Sequence, residues 1–348
     1  MSRVRTIAGA RIGVLALAIV AARSVTGTDV TTSVPDPFAF LPPGVEMNGA
    51  DRGRLDAGRT VIRVLPGRDR ELALMAAVRI DAPPERLLSW TSRIAPLLQS
   101  RYVPIVVRFS SPPRIEDLSA LELEEGDLND LRNCRPGDCG VKLSAGDIAR
   151  LQQRITGRSD WKPGVQQEFR RIVLDRTATY LSDGDLGLPP YNDHRDPIAA
   201  DAEFASLIRR LGLLPPGISE YLQAYPRIGH PDVVESFLYW SKETLGGKPI
   251  VSVTHAALVR GAGSTGAPAL VVSKQVFATH YRTGAVSMTA IAGSSPNRSL
   301  VYLHRSHVDV LQGFFAGLVR RIVEGRIRDE APAVLNAIRA RLERSNPP

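Results

Sequence analysis

Between Glu235 and His304 the apolar residues recur with a period of two, and this run constrains the fold more than any other part of the chain. Ser236 to Lys242 alternates Phe237, Tyr239 and Ser241 with Leu238 and Trp240. Pro249 to Val259, Ala269 to Tyr281, Ala285 to Ala292 and Ser299 to His304 follow as further strands, divided by glycine-rich or Gly-Ser-Ser-Pro-Asn turns. Connections this short predict antiparallel neighbours. A helical stretch then closes the chain from about Val308 to Glu343, and Pro332 is expected to kink or split it.

Two more strand-like segments lie near the front, Thr60 to Leu65 and Leu72 to Ile80, joined by a Pro66-Gly67 turn. Asp81-Ala82-Pro83-Pro84-Glu85 opens a helix, because proline is tolerated in the first turn, where its missing N–H is not needed. Val103 to Phe109 is strand-like again. Residues 112 to 233 differ: Pro-rich turns separate amphipathic helices, one announced by the capping-box pattern Ser144 to Asp147.

Arg3, Arg5 and Arg11 precede the uncharged run Ile12 to Ala22. Its 11 residues suit a signal peptide and fall short of the ~20 a membrane span needs. Cleavage is expected after Ala22 or Gly27, with retention as an N-terminal anchor the alternative. The expected location is therefore periplasmic or secreted. Export bears on Cys134 and Cys139, which flank the Pro136-Gly137 turn: in an oxidising compartment a local disulfide is favoured. A zinc half-site would need two more ligands, and a redox pair usually has two intervening residues.

The net charge of +8 falls to +5 once the three leading arginines are removed. That charge allows weak contact with an anionic membrane surface. The basic residues are scattered without an aromatic-interleaved stripe, so no nucleic-acid partner is expected.

The phrase Ala76-Ala-Val-Arg-Ile-Asp-Ala-Pro-Pro-Glu85-Arg is similar to the opening strand and helix start of the START-like, polyketide-cyclase-like (SRPBCC) superfamily. The tail, a last strand followed by Ser306-His-Val-Asp309-Val-Leu-Gln-Gly313 and a long helix, resembles it too. The likeness covers roughly 60–110 and 235–345. It implies an α+β fold in which a curved antiparallel sheet grips a long C-terminal helix, here with a helical insertion. The expected organisation is a signal peptide over 1–27, a linker over 28–58, the N-terminal part of the core over 59–111, the insertion over 112–233 and the rest of the core over 234–345.

Such a fold implies a hydrophobic, lipid-like ligand held between sheet and helix, with no cofactor. Gly313 and Gly317 are four apart and share a helical face, where they would leave room for it. Phe314 and Leu318 are expected beside them, with Tyr239 and His280 facing the cavity from the strands. The rival is a cyclase- or hydrolase-type enzyme on the same core, using His255 or His280 as general base. A third possibility is an envelope protein with a filled core. No G-x-S-x-G, H-E-x-x-H or Walker pattern occurs, and no metal site is expected. Asp309 reads as a charge on the helix dipole, and the acidic run Leu121 to Asp127 as a solvated face.

Overall fold

The computed structural model describes residues 36–211, 214, 217–244, 247–261, 269–313 and 316–344. The expected signal peptide, and Phe314, lie outside them. Among the described residues eight strands form one antiparallel sheet, curled and unclosed: β1 (Val61–Leu65), β2 (Glu71–Arg79), β3 (Ile105–Arg108), β4 (Val233–Glu243), β5 (Ile250–Arg260), β6 (Ala269–Ala278), β7 (Arg282–Ala292) and β8 (Ser299–Val308). Their order is β1-β2-β8-β7-β6-β5-β4-β3. β4 to β8 form a meander, to which the β1–β2 hairpin adds beside β8. β3 borders β4, so the helical insertion leaves and re-enters the sheet at neighbouring strands without disturbing the register of the rest.

Strand alternation divides the side chains between two faces. One face carries Leu238, Trp240, Val251, Val253, Ala257 and Val259, which pack against the insertion. Its helices are α4 (Glu125–Arg132), α5 (Ala145–Ile155), α6 (Lys162–Asp183), α7 (Ala200–Leu211) and α8 (Ile218–Ala224). α5 starts on the expected capping box, with the Asp147 amide donating to Ser144 Oγ. α7 approaches β7 so closely that a Cβ on Gly284 would meet Glu203 Cβ at 3.1 Å.

The other face carries Ala76, Val78, Phe237, Tyr239, Leu258, Val271 and Leu300. It is covered by α2 (Pro84–Ser92), α3 (Ile94–Leu98) and the long C-terminal helix α9 (Ala316–Leu342). α2 begins at Pro84, as the two prolines require.

Four expectations are corrected. Residues 36–58 are no linker: Phe38, Phe40, Leu41, Val45 and Met47 are buried on the insertion face, and α1 (Gly49–Asp56) adds Leu55. The Pro, Gly and Asp content of this segment obscured an apolar set large enough to hold it down. Pro332 does not split α9, which runs from Ala316 to Leu342 with the proline inside it. Val319, Val323 and Ile327 pack before it and Leu335, Ile338 and Leu342 after it, and that burial outweighs the about 3 kcal/mol a mid-helix proline costs. Asp309 lies in a 3-10 turn ahead of α9, where its carboxylate pairs with Lys142 and lies 3.6 Å from Arg70, so a buried cation rather than a helix dipole accounts for it. The run Leu121 to Asp127 is only partly solvated, because Leu121, Leu123 and Asp127 are buried. Cys134 and Cys139 lie at disulfide distance, their Cα atoms 4.5 Å apart.

Candidate functional site

β4 sends Phe237, Tyr239, Ser241 and Glu243 to the α9 side, a series that turns from aromatic to charged towards the strand's end. Opposite its polar half, α9 presents Ala333, Val334, Ala337, Ile338 and Arg341. The segment Leu98 to Val103, between α3 and β3, closes the side. These surfaces line a half-open cavity of about 490 Å³. That volume is within the range of small-molecule sites, which pair apolar walls with a few placed polar groups. Here Leu98, Val103, Val334 and Ile338 supply the apolar walls, and Tyr239, Ser241 and Glu243 the polar end.

The polar end is braced from neighbouring strands. Arg282 Nη2 donates to Glu243 Oε2 at 2.8 Å, and Ser252 Oγ donates to Glu243 Oε1 at 3.1 Å. Ser252 and Ser241 hydroxyls are 3.1 Å apart. On β8, Tyr302 and His304 project to the same face, with the Tyr302 hydroxyl 3.2 Å from His304 Nδ1 and the two rings stacked. Burial sets the proton affinities. It pushes the Tyr239 phenol up and the Tyr302 phenol up to about 12. It holds His304 down at about 4, helped by the Arg282 charge. Burial also works against the charge of Arg282, and Glu243 more than offsets it. The imidazole and both phenols are therefore neutral at neutral pH, the Glu243–Arg282 pair balances itself, and Arg101 and Arg341 add positive charge to the lining.

The expected site residues fall in different places. Tyr239 lines the cavity. Gly313 and Gly317 are exposed, with nothing within 4 Å of where a Cβ would stand, and Leu318 is 53% exposed. None of these three touches the cavity. The small residues four apart that do open space on α9 are Ala333 and Ala337, further along the helix. His280 is buried under α4, its Nε2 3.0 Å from Asp127. His255 is fully buried on the insertion face.

His255 has the outline of a catalytic base without its electrostatics. Ser236 Oγ is 2.6 Å from its Nε2 and the Tyr180 hydroxyl 2.8 Å from its Nδ1. Burial, and then the charge of Lys274, hold its pKa down to about 3. A base that takes a proton from serine needs a carboxylate to stabilise the resulting imidazolium. Tyr180 supplies no charge, and burial keeps its phenol protonated. The imidazole serves instead as a hydrogen-bonded tie between α6, β4 and β5.

Sequence reasoning missed Ser241, Glu243, Arg282, Tyr302 and the Ala333–Arg341 face. The alternation of β4 through Glu243, and of β8 through Tyr302, His304 and Ser306, was the available signal. Among the described residues Asp193, His194 and Asp309 are near enough to share a metal ion. However, the Lys142 ammonium already bridges the two carboxylates, 3.0 Å from Asp193. No described helix is long and apolar enough to cross a membrane. No protein-family model matches this sequence, and no curated protein matches it.

Proposed function

We propose that this protein is an exported, START-like carrier that holds a lipid-like amphiphile in the cavity between its sheet and C-terminal helix. The observation that carries this reading is the cavity itself, about 490 Å³ with apolar walls and a polar end. Burial of apolar ligand surface at ~25 cal/mol per Å² supplies the driving force, and the polar end sets orientation. No bond-making step is required.

The carrier reading includes contact with an anionic membrane surface, from which an amphiphile would be taken up. The outer face of α9 favours it: Leu318 and Ile322, four apart and each 53% exposed, are flanked by exposed Arg321 and Arg326. An acidic residue, Asp329, bounds this patch one turn further on.

Native mass spectrometry of protein purified from the compartment it is exported to, followed by organic extraction, tests the proposal. A lipid-sized adduct is expected. A bare mass, together with no uptake of a fluorescent amphiphile on titration, would overturn it.

A further inference from the structure

We infer that the amphiphile this cavity takes carries an anionic head, a carboxylate or phosphate, seated on the guanidinium groups of Arg101 and Arg341. The inference rests on the ligand-binding reading of the same cavity and adds the sign of the ligand's charge to it.

Three charged side chains line the cavity: Arg101, Glu243 and Arg341. Glu243 is already satisfied, by Arg282 at 2.8 Å and by the Ser252 hydroxyl at 3.1 Å. The arginines are not balanced in this way. Their hydrogen bonds go to carbonyls and a phenol, and neither pairs with a described carboxylate. Glu343, the next acidic residue after Arg341, lies 4.0 Å from Arg339 and accepts from the Asp81 amide at 3.1 Å instead. Burial, and then the like charge of Arg344, push the pKa of Arg341 down. An anion brought to this guanidinium relieves both effects, whereas an ammonium head would meet like charge and a neutral head makes no charge-assisted bond of equal strength.

Both guanidinium groups are held on one short segment. Arg341, in the last turn of α9, donates from Nη1 to the Leu97 carbonyl at 2.5 Å and from Nη2 to the Gln99 carbonyl at 2.6 Å. Arg101 follows two residues after Gln99, in a turn closed by backbone bonds of 3.0 and 3.1 Å between Ser100 and Val103. Its guanidinium lies over the Tyr102 ring, 4.5 Å from the centroid, and donates to the Tyr102 hydroxyl. The chain leaving β4 fixes this turn, with the Thr244 amide donating to the Tyr102 carbonyl at 2.8 Å. These contacts occupy two donors of Arg341 and one of Arg101, so each guanidinium keeps N–H groups for an oxyanion. Donors fixed in advance lose little freedom when a ligand arrives. Leu98 and Val103 on the same segment, with Val334 and Ile338 on α9, wall the space that would hold the chain behind the head.

Decanoate, decyl phosphate, decanol and decylammonium make the test. Each competes, below its micelle concentration, with neutral N-phenylnaphthylamine for the full-length protein at neutral pH. At least one anion is expected to displace it at a concentration about tenfold lower than decanol, and decylammonium to be weakest; solvent at the half-open site keeps the factor modest. Arg101→Gln and Arg341→Gln should each remove most of the anion's advantage over decanol. Circular dichroism checks that each variant is folded, and Arg101→Gln, on an exposed residue of the turn, decides the matter if Arg341→Gln is not. Decanol or decylammonium bound as tightly as both anions, or an advantage unmoved in folded variants, overturns the anionic head while leaving the cavity reading intact. Displacement by acetate or inorganic phosphate at the same concentrations overturns it too, since the chain would then contribute nothing. Failure of the wild type to take up N-phenylnaphthylamine or any competitor overturns the cavity reading, and this inference with it.

Discussion

Arg282 at the start of β7 donates to Glu243 at the end of β4 at 2.8 Å, across the two intervening strands β5 and β6. Three strand spacings in a flat sheet amount to roughly 14 Å, more than the two side chains span together. The contact therefore depends on the curl of the sheet, which brings both side chains onto the same inner face. The same curl leaves a space beneath α9, with the ion pair at its polar end.

Filling that space from the helix should stop ligand uptake and leave the fold in place. Ala337→Trp and Ala333→Trp each project a large ring from an exposed position at the cavity wall. We expect uptake of a fluorescent amphiphile to fall at least about tenfold, with stability changed by under about 0.5 kcal/mol, as for ordinary surface substitutions. Unaltered uptake in both variants would place the ligand elsewhere.

Acid should weaken the fold from about pH 6.5 downwards. His255 and His304 titrate near 3 and 4 when folded and near 6.5 when unfolded. Below pH 6.5 the unfolded chain therefore binds protons that the folded chain refuses. Stability then falls as pH drops towards 4 and 3, by up to about 1.4 kcal/mol per pH unit for each histidine. Above pH 6.5 neither residue contributes to any slope. For Glu71 and Glu203, burial opposes ionisation but hydrogen bonds, Arg305 to the first and His307 to the second, hold the pKa below the ordinary value. Their contribution is complete above about pH 4.5 and fades below it. Urea midpoints measured from pH 8 to 4 check this. His304→Gln should remove one histidine's share of the slope, and a flat profile between pH 6 and 5 would contradict the account.

Removing one partner of the buried Lys274–Asp185 pair should cost far more than removing both. Lys274 is 1% exposed, and burial pushes its pKa down and that of Asp185 up. Lys274→Met leaves a buried carboxyl without its cation and is expected to cost about 3–5 kcal/mol. Adding Asp185→Leu should recover most of that loss in denaturant melts. Equal losses in the single and double variants would show that the pair is not coupled.

Membrane contact through α9 should be electrostatic and apolar together. Leu318→Ser with Ile322→Ser is expected to reduce co-sedimentation with phosphatidylglycerol vesicles about tenfold or more, since both side chains are half exposed. Raising the salt concentration should weaken the wild type's binding as well. Equal binding to phosphatidylcholine vesicles would remove the role of the arginines.

Much of the architecture was legible. The period-two run marked β4 to β8, the double proline placed the start of α2, and Ser144 with Asp147 announced α5. The cavity was less so. Tyr239 was found because its strand alternates. The glycine pair at 313 and 317 was the right type of signal in the wrong place, one ahead of α9 and one in its first turn, since small residues mark a space only where something faces them. His255 and His280 stood out as histidines in strand-rich sequence, yet burial and their partners Tyr180, Ser236 and Asp127 give both structural roles.

The sequence by itself determined the local elements and which faces of them are apolar, because periodicity and capping report the backbone geometry of a few neighbouring residues. It also determined the pairing of Cys134 with Cys139, which needs only a turn. Tertiary structure alone decided that Glu243, Arg282 and Tyr239 meet at one end of a space roofed by Ala333 and Ala337. Their meeting follows from strand order and from the curl of the sheet, which sum small twists over many strands and leave no mark in any short stretch of chain.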